Sequence, residues 1–276
     1  MGKTDKNKST LIGAIEDILP TLNLEDLDAI WSACRNYSDV NELPVEDEAA
    51  AIHAIVEHIK NRCDSCDDIL PEEYNYSCLP LCLLDAVFSI GVRYESTRNV
   101  VKRYCEAKSI ERLRQPGEPE VEHNIDALIK AIGDIGPEAF AKEIVKNGQL
   151  TSSKSGILKA EAVLECAKVL KDCAIYTIED FREKVDDSVE KKFREVKGQT
   201  SGISFSYLKM LCGDVSEIKP DRHVLRFLAG YLGYEPALDD AKTLLDRAVD
   251  ELNKPSDREI TPREVDYLIW SEMVGR

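Results

Sequence analysis

The sequence has no run of eighteen apolar residues, so nothing in it is predicted to cross a bilayer. Its first ten residues, MGKTDKNKST, lack the apolar core of a secretory signal. Nine cysteines, an odd number without a signal, predict reduced thiols in a cytoplasmic protein rather than a disulfide framework. No segment alternates apolar and polar residues between turn signals, so the fold class predicted is all-α. Basic residues are also scarce. Lys and Arg number 36 against 52 Asp and Glu, a net charge of −16. Spread evenly, that charge would repel nucleic acid.

It is not spread evenly. Residues 1–80 carry 6 basic and 17 acidic side chains, whereas residues 191–226 carry 8 basic and 4 acidic ones. One basic stretch on an acidic body is compatible with a nucleic-acid face, and equally with a solvated helix end. Within it a polar turn, Lys197-Gly198-Gln199-Thr200-Ser201-Gly202, runs into an apolar segment from Ile203 to Cys212. Pro220-Asp221-Arg222-His223 then opens a second helix, whose Val224, Phe227, Leu228 and Tyr231 fall on one face. Two glycines ahead of a helix N-terminus make a candidate anion site, with phosphate the usual anion. Asp221, ahead of a helix, suits an N-cap on its own account.

Residues 196–228 resemble the helix–hairpin–helix superfamily of endonuclease III-like DNA glycosylases. There an L-P-G-x-G hairpin leads into a helix, and about twenty residues later an aspartate in a V-D-x-H-V stretch performs catalysis. Gly198 falls on the first hairpin glycine, and Asp221-Arg222-His223-Val224 on the D-x-H-V stretch. Thr200 replaces the second glycine, and Gly202 stands where bifunctional members carry a Schiff-base lysine. Two further segments are similar to the family. Leu79-Pro80 opens an apolar helix ended by Ser89-Ile90-Gly91, and Lys159-Ala160 sits in a K-A-x-x-I type helix.

The resemblance implies an all-α glycosylase-like core over 79–235, after an acidic helical extension (1–78) and before closing helices (236–276). It implies Asp221 as the catalytic carboxylate of a monofunctional base-excision N-glycosylase. Double-stranded DNA would be the partner, held by its phosphates on Lys197, Gly198, Gln199, Thr200, Ser201 and Gly202, with support from Lys209, Arg222 and His223. Thr200 in place of glycine would force an unusual hairpin or weaken its phosphate site. Gly91 occupies the place of a glutamine that many relatives push into DNA, which leaves Arg93 and Tyr94 to fill that gap. A non-catalytic module that kept the scaffold is the alternative.

No cofactor is expected. Cysteine does not recur after Cys212, so the four-cysteine iron–sulfur loop of endonuclease III-like members is missing. Cys63-x-x-Cys66 has zinc-like spacing but no second pair at a finger-like interval, and Cys78 and Cys82 read as small core residues. Pro137 is expected to open a helix burying Phe140 and Ile144. Thr177-x-x-Asp180 and Thr261-Pro262-x-Glu264 read as helix starts, with closing helices over 238–253 and 262–273.

Overall fold

A computed structural model describes residues 45–63, 75–115, 117–254 and 259–275. Among these the regular structure is helical, with two isolated β-bridges, Tyr76–Leu113 and Leu150–Leu158. None of the described helices is long and apolar enough to cross a membrane. The α-helices are α1 (Val45–Cys63), α2 (Leu79–Phe88), α3 (Tyr94–Lys108), α4 (Ile125–Gly133), α5 (Pro137–Ala139) and α6 (Lys159–Asp172). They continue with α7 (Ile178–Lys184), α8 (Asp187–Glu195), α9 (Ile203–Leu211), α10 (Arg222–Leu232), α11 (Leu238–Asn253) and α12 (Pro262–Met273). The helix begun at Pro137 continues as a π-turn over Phe140–Ile144, which buries Phe140 and half-buries Ile144.

Helix starts follow local chemistry. Thr177 and Asp180 form a reciprocal capping box on α7, and Thr261 and Glu264 form another on α12. Asp186 caps α8 by accepting the Val189 N–H. Each cap satisfies backbone donors that the first helical turn leaves without a partner.

Two hydrophobic cores are formed among the described residues from 49 on. The first is built around α2, whose ten residues are all buried and which packs on α3, α6 and α9. Leu79, Leu81, Leu83 and Leu84 are fully buried there, each worth about 1.5–3 kcal/mol in area removed from water. Cys78, Cys82, Cys105, Cys166 and Cys212 are free thiols buried in this core, where they pack as small apolar groups. The second core gathers Ile52, Ile55 and Ile59 of α1 with α10, α11 and α12. Thus α1 packs with α10 and the closing helices, and the two cores divide at residues 213–217. His58 of α1 and Glu272 of α12 join through a 2.7 Å contact at Nε2.

Asp85 is the exception in α2. Its Oδ2 accepts the Tyr76 hydroxyl at 2.8 Å and the Tyr207 hydroxyl at 3.4 Å, while Oδ1 is buried without a partner. Burial pushes this carboxyl up to about 6, against the hydrogen bond from Tyr76.

Candidate functional site

The two cores meet through the segment that follows α9, and a cavity of about 570 Å3 opens beside it. That volume lies within the range of roughly 300–1,000 Å3 typical of small-molecule sites. One wall comes from the first core: the loop Ser89–Arg93, the start of α3 with Tyr94, and Ile203, Tyr207, Met210 and Leu211 of α9. The other comes from the second core: Lys219, the start of α10 with Asp221 to Val224, and Arg263, Asp266, Tyr267 and Trp270 of α12. Tyr94 meets Trp270 edge-on at 5.5 Å, and Tyr267 meets the same indole at 5.8 Å. The lining sets four aromatic rings, Tyr94, Tyr207, Tyr267 and Trp270, among aliphatic and charged side chains.

Asp221 is the N-cap of α10. Its Oδ1 accepts the His223 N–H at 2.8 Å and the Val224 N–H at 3.5 Å. Its Oδ2 lies 3.7 Å from the Lys219 ammonium. Lys219 also donates to Ser89 Oγ at 3.2 Å and sits 3.8 Å over the Tyr207 ring, a cation–π contact. Its backbone N–H donates to Asp266 Oδ1 at 2.9 Å. Lys219 therefore ties both carboxylates and the loop at Ser89 to one point.

The loop Ser89–Arg93 is fixed from behind. Lys159, 2 % exposed, donates from Nζ to Phe88 O at 2.9 Å and Ile90 O at 2.7 Å. These are carbonyls that the end of α2 would otherwise strand. Burial, and next the charge of Lys219, lower the Lys159 ammonium to about 8. Arg222 donates from Nη2 to Val92 O at 3.2 Å, so this residue, expected on DNA, braces the loop. Gly91 has φ +70° and is exposed, as is Arg93. His223 has a buried Nδ1 with no hydrogen-bond partner, and burial lowers its pKa below the ordinary 6.5.

The hairpin lies at the other end of α9 and does not line the cavity. Its turns close through Gln199 N to Val196 O at 2.9 Å and Gly202 N to Gln199 O at 3.0 Å. Lys197, Gly198, Thr200 and Ser201 are exposed. Gln199 points inward, is buried, and accepts the Ser204 hydroxyl. Thr200 does not adopt positive φ, so it sits in the hairpin without backbone strain. Gly198, at φ +89°, has Thr151 against it: a Cβ there would lie 2.4 Å from the Thr151 Cβ. The close approach this glycine allows is taken up by the protein's own 150–157 loop. Arg194 braces the same turn by donating to Thr200 O at 3.1 Å. Lys209 is engaged with Glu217 at 2.9 Å and Glu190 at 3.7 Å, which commits its charge within the fold.

Sequence reasoning named Asp221, Arg222 and His223 on one wall and Gly91, Arg93 and Tyr94 on the other, and the cavity brings these two groups together. It missed Lys219, Asp266, Tyr207 and Trp270. A signal existed for Asp266, a carboxylate set inside the apolar stripe Val265, Leu268 and Ile269. Cys66 lies outside the described residues, as does the Cys63 side chain; among those described, no group of three or more His, Cys, Asp or Glu could hold a metal ion.

Residues 53–273 match the family model described as "Domain of unknown function (DUF8548)". The chain belongs to the DUF8548 family. No curated protein and no solved structure gives a significant match to it. Lys219, Asp221, Asp266 and every other cavity-lining residue except Val274 lie within the DUF8548 region.

Proposed function

We propose that the protein is a monofunctional DNA N-glycosylase, which extrudes a damaged or mispaired base and hydrolyses its glycosidic bond. The observation that carries this reading is Asp221, held by its own helix N-terminus at the wall of an aromatic-lined cavity. A base taken out of the stack needs flat apolar walls. The oxocarbenium-like sugar left behind needs an opposing carboxylate that can also orient and deprotonate water. Asp221 supplies that carboxylate, and the loop at Gly91, Arg93 and Tyr94 is the element that would enter the gap in the duplex.

The hairpin with exposed Lys197, Gly198, Thr200 and Ser201 would hold a backbone phosphate, which positions DNA without reading its sequence. Binding to duplex DNA is predicted to weaken steeply with salt, the logarithm of the association constant falling linearly with log salt at a slope of roughly −3 or steeper. Fluorescence anisotropy from 50 to 300 mM salt measures this, and a flat dependence would remove the phosphate contact.

The test of the reaction is single-turnover base release on a panel of duplexes carrying uracil, oxidised and alkylated bases and mispairs. Release of one free base, leaving an abasic site and no borohydride-trapped protein–DNA adduct, is the expected result, because Gly202 offers no amine. A trapped adduct would contradict the monofunctional assignment. The alternative is a non-catalytic DNA-binding or protein-interaction module on the same scaffold: the inward commitment of Lys209, Arg222 and Gly198 favours the protein-interaction form, and salt-sensitive binding without release from any duplex would identify the DNA-binding one.

A further inference from the structure

We propose that Asp266 is the general acid of this site, protonating the departing base while Asp221 faces the sugar; the inference rests on the glycosylase reading above. Helix α12 buries Asp266 at the cavity wall, between Val265 and Tyr267, and the Lys219 N–H holds its Oδ1 at 2.9 Å. One carboxyl oxygen is thereby fixed in place as an acceptor, and the proton is assigned to the other. Asp221, on the same wall, accepts two helix N–H groups and lies beside an ammonium. Two carboxyls share one cavity in two different surroundings, the arrangement that divides acid from base in a hydrolytic site.

The charged surroundings point the same way. Burial, and next the negative charge of Asp221, push the Asp266 carboxyl up to about 7, against the pull of Lys219 and Arg263. It therefore holds its proton below neutral pH. The other titratable or charged groups on the cavity are Arg93 from the loop after α2, Tyr94 and the exposed Glu95 from α3, Tyr207 from α9, Tyr267 from α12, and Arg222 and His223 from α10. His223 is lowered below 6.5, so it titrates on the acid side of Asp266.

The step balances without a further reactant. The glycosidic C–N bond breaks with its electron pair leaving on the base, and the Asp266 proton joins that base. Water adds to the sugar carbon and gives a proton to Asp221. Solvent then returns one proton from Asp221 to Asp266. The sum is DNA and water giving an abasic site and free base.

The experiment is single-turnover base release from pH 5.5 to 9 by wild type, Asp266→Asn and Asp266→Glu, on the base that wild type releases fastest. Wild-type rate should fall as pH rises through about 7. Asp266→Asn should be about 100-fold slower at pH 6 and lose that alkaline limb, with duplex affinity unchanged. Asp266→Glu, which keeps a proton donor, should retain a limb at a shifted pH, and it carries the test alone should the Asn variant fail to fold. An alkaline limb that persists unchanged in either variant would overturn the assignment while leaving Asp221 and the glycosylase reading intact. No release by wild type from any duplex would remove that reading and this inference with it.

Discussion

Asp221→Asn should slow base release by about three orders of magnitude while leaving the fold in place. Two properties of the residue separate cleanly in this variant. As an N-cap, Asn ranks with Asp, so the bonds to the His223 and Val224 N–H groups are kept. As a carboxylate, Asn is inert: it carries no charge against an oxocarbenium-like sugar and takes no proton from water. General-base and electrostatic contributions of this kind each amount to about 10²–10⁴-fold. Lys219 would lose its anion at 3.7 Å but keep Ser89 and the Tyr207 ring, so its position should hold. The measurement is the single-turnover rate beside the thermal midpoint. A rate within tenfold of wild type at an unchanged midpoint would mean that Asp221 only caps α10. Asp221→Ala makes the complementary control, because it removes the cap as well, at a cost of about 1 kcal/mol.

Local signals in this chain were legible because their physics is local. The capping boxes at Thr177 and Thr261 and the spans of α11 and α12 follow from cap residues and apolar periodicity within one helix. The apolar run from Leu79 gave a helix buried on every side. What was not legible depends on long-range packing. Nothing near Ile52, Ile55 and Ile59 in sequence announces that they pack with helices two hundred residues later. Gly198 shows the same limit in miniature. A glycine in a hairpin signals a close approach, but the sequence does not say to what, and here the neighbour is Thr151. The 148–156 loop is mostly polar, with no periodicity to announce its packing. It is closed by Thr151 N to Ile157 O at 2.9 Å and by the Thr151 hydroxyl on the Ile157 N–H at 3.2 Å. Lys219 and Asp266 were hidden because each matters only through the other's wall of the cavity.

Lys159→Met should destabilise the protein by about 2–4 kcal/mol and loosen the loop that forms one side of the cavity. Methionine fills a similar volume, so the change isolates the ammonium's bonds rather than its packing. Without them, Phe88 O and Ile90 O lose their donor at a buried helix end, and each stranded carbonyl costs about 1–3 kcal/mol. Part of that loss is offset, because the variant no longer buries a charge. The offset gives the prediction a pH signature with a definite sign. The folded-state pKa of about 8 lies below the ordinary 10.5, so between these values the unfolded chain holds a proton that the folded one has released. Wild-type stability should therefore rise relative to the variant as pH climbs from about 8 to 10.5, and the gap between them should be smallest below pH 8. Urea unfolding at pH 7 and pH 10 measures both quantities. Equal midpoints at pH 7 would mean that the two carbonyls find other partners and that Lys159 does not hold the loop. A gap that shrinks toward pH 10 would reverse the sign argued here. In the first case the loop at Ser89 would be held chiefly by Lys219 and Arg222.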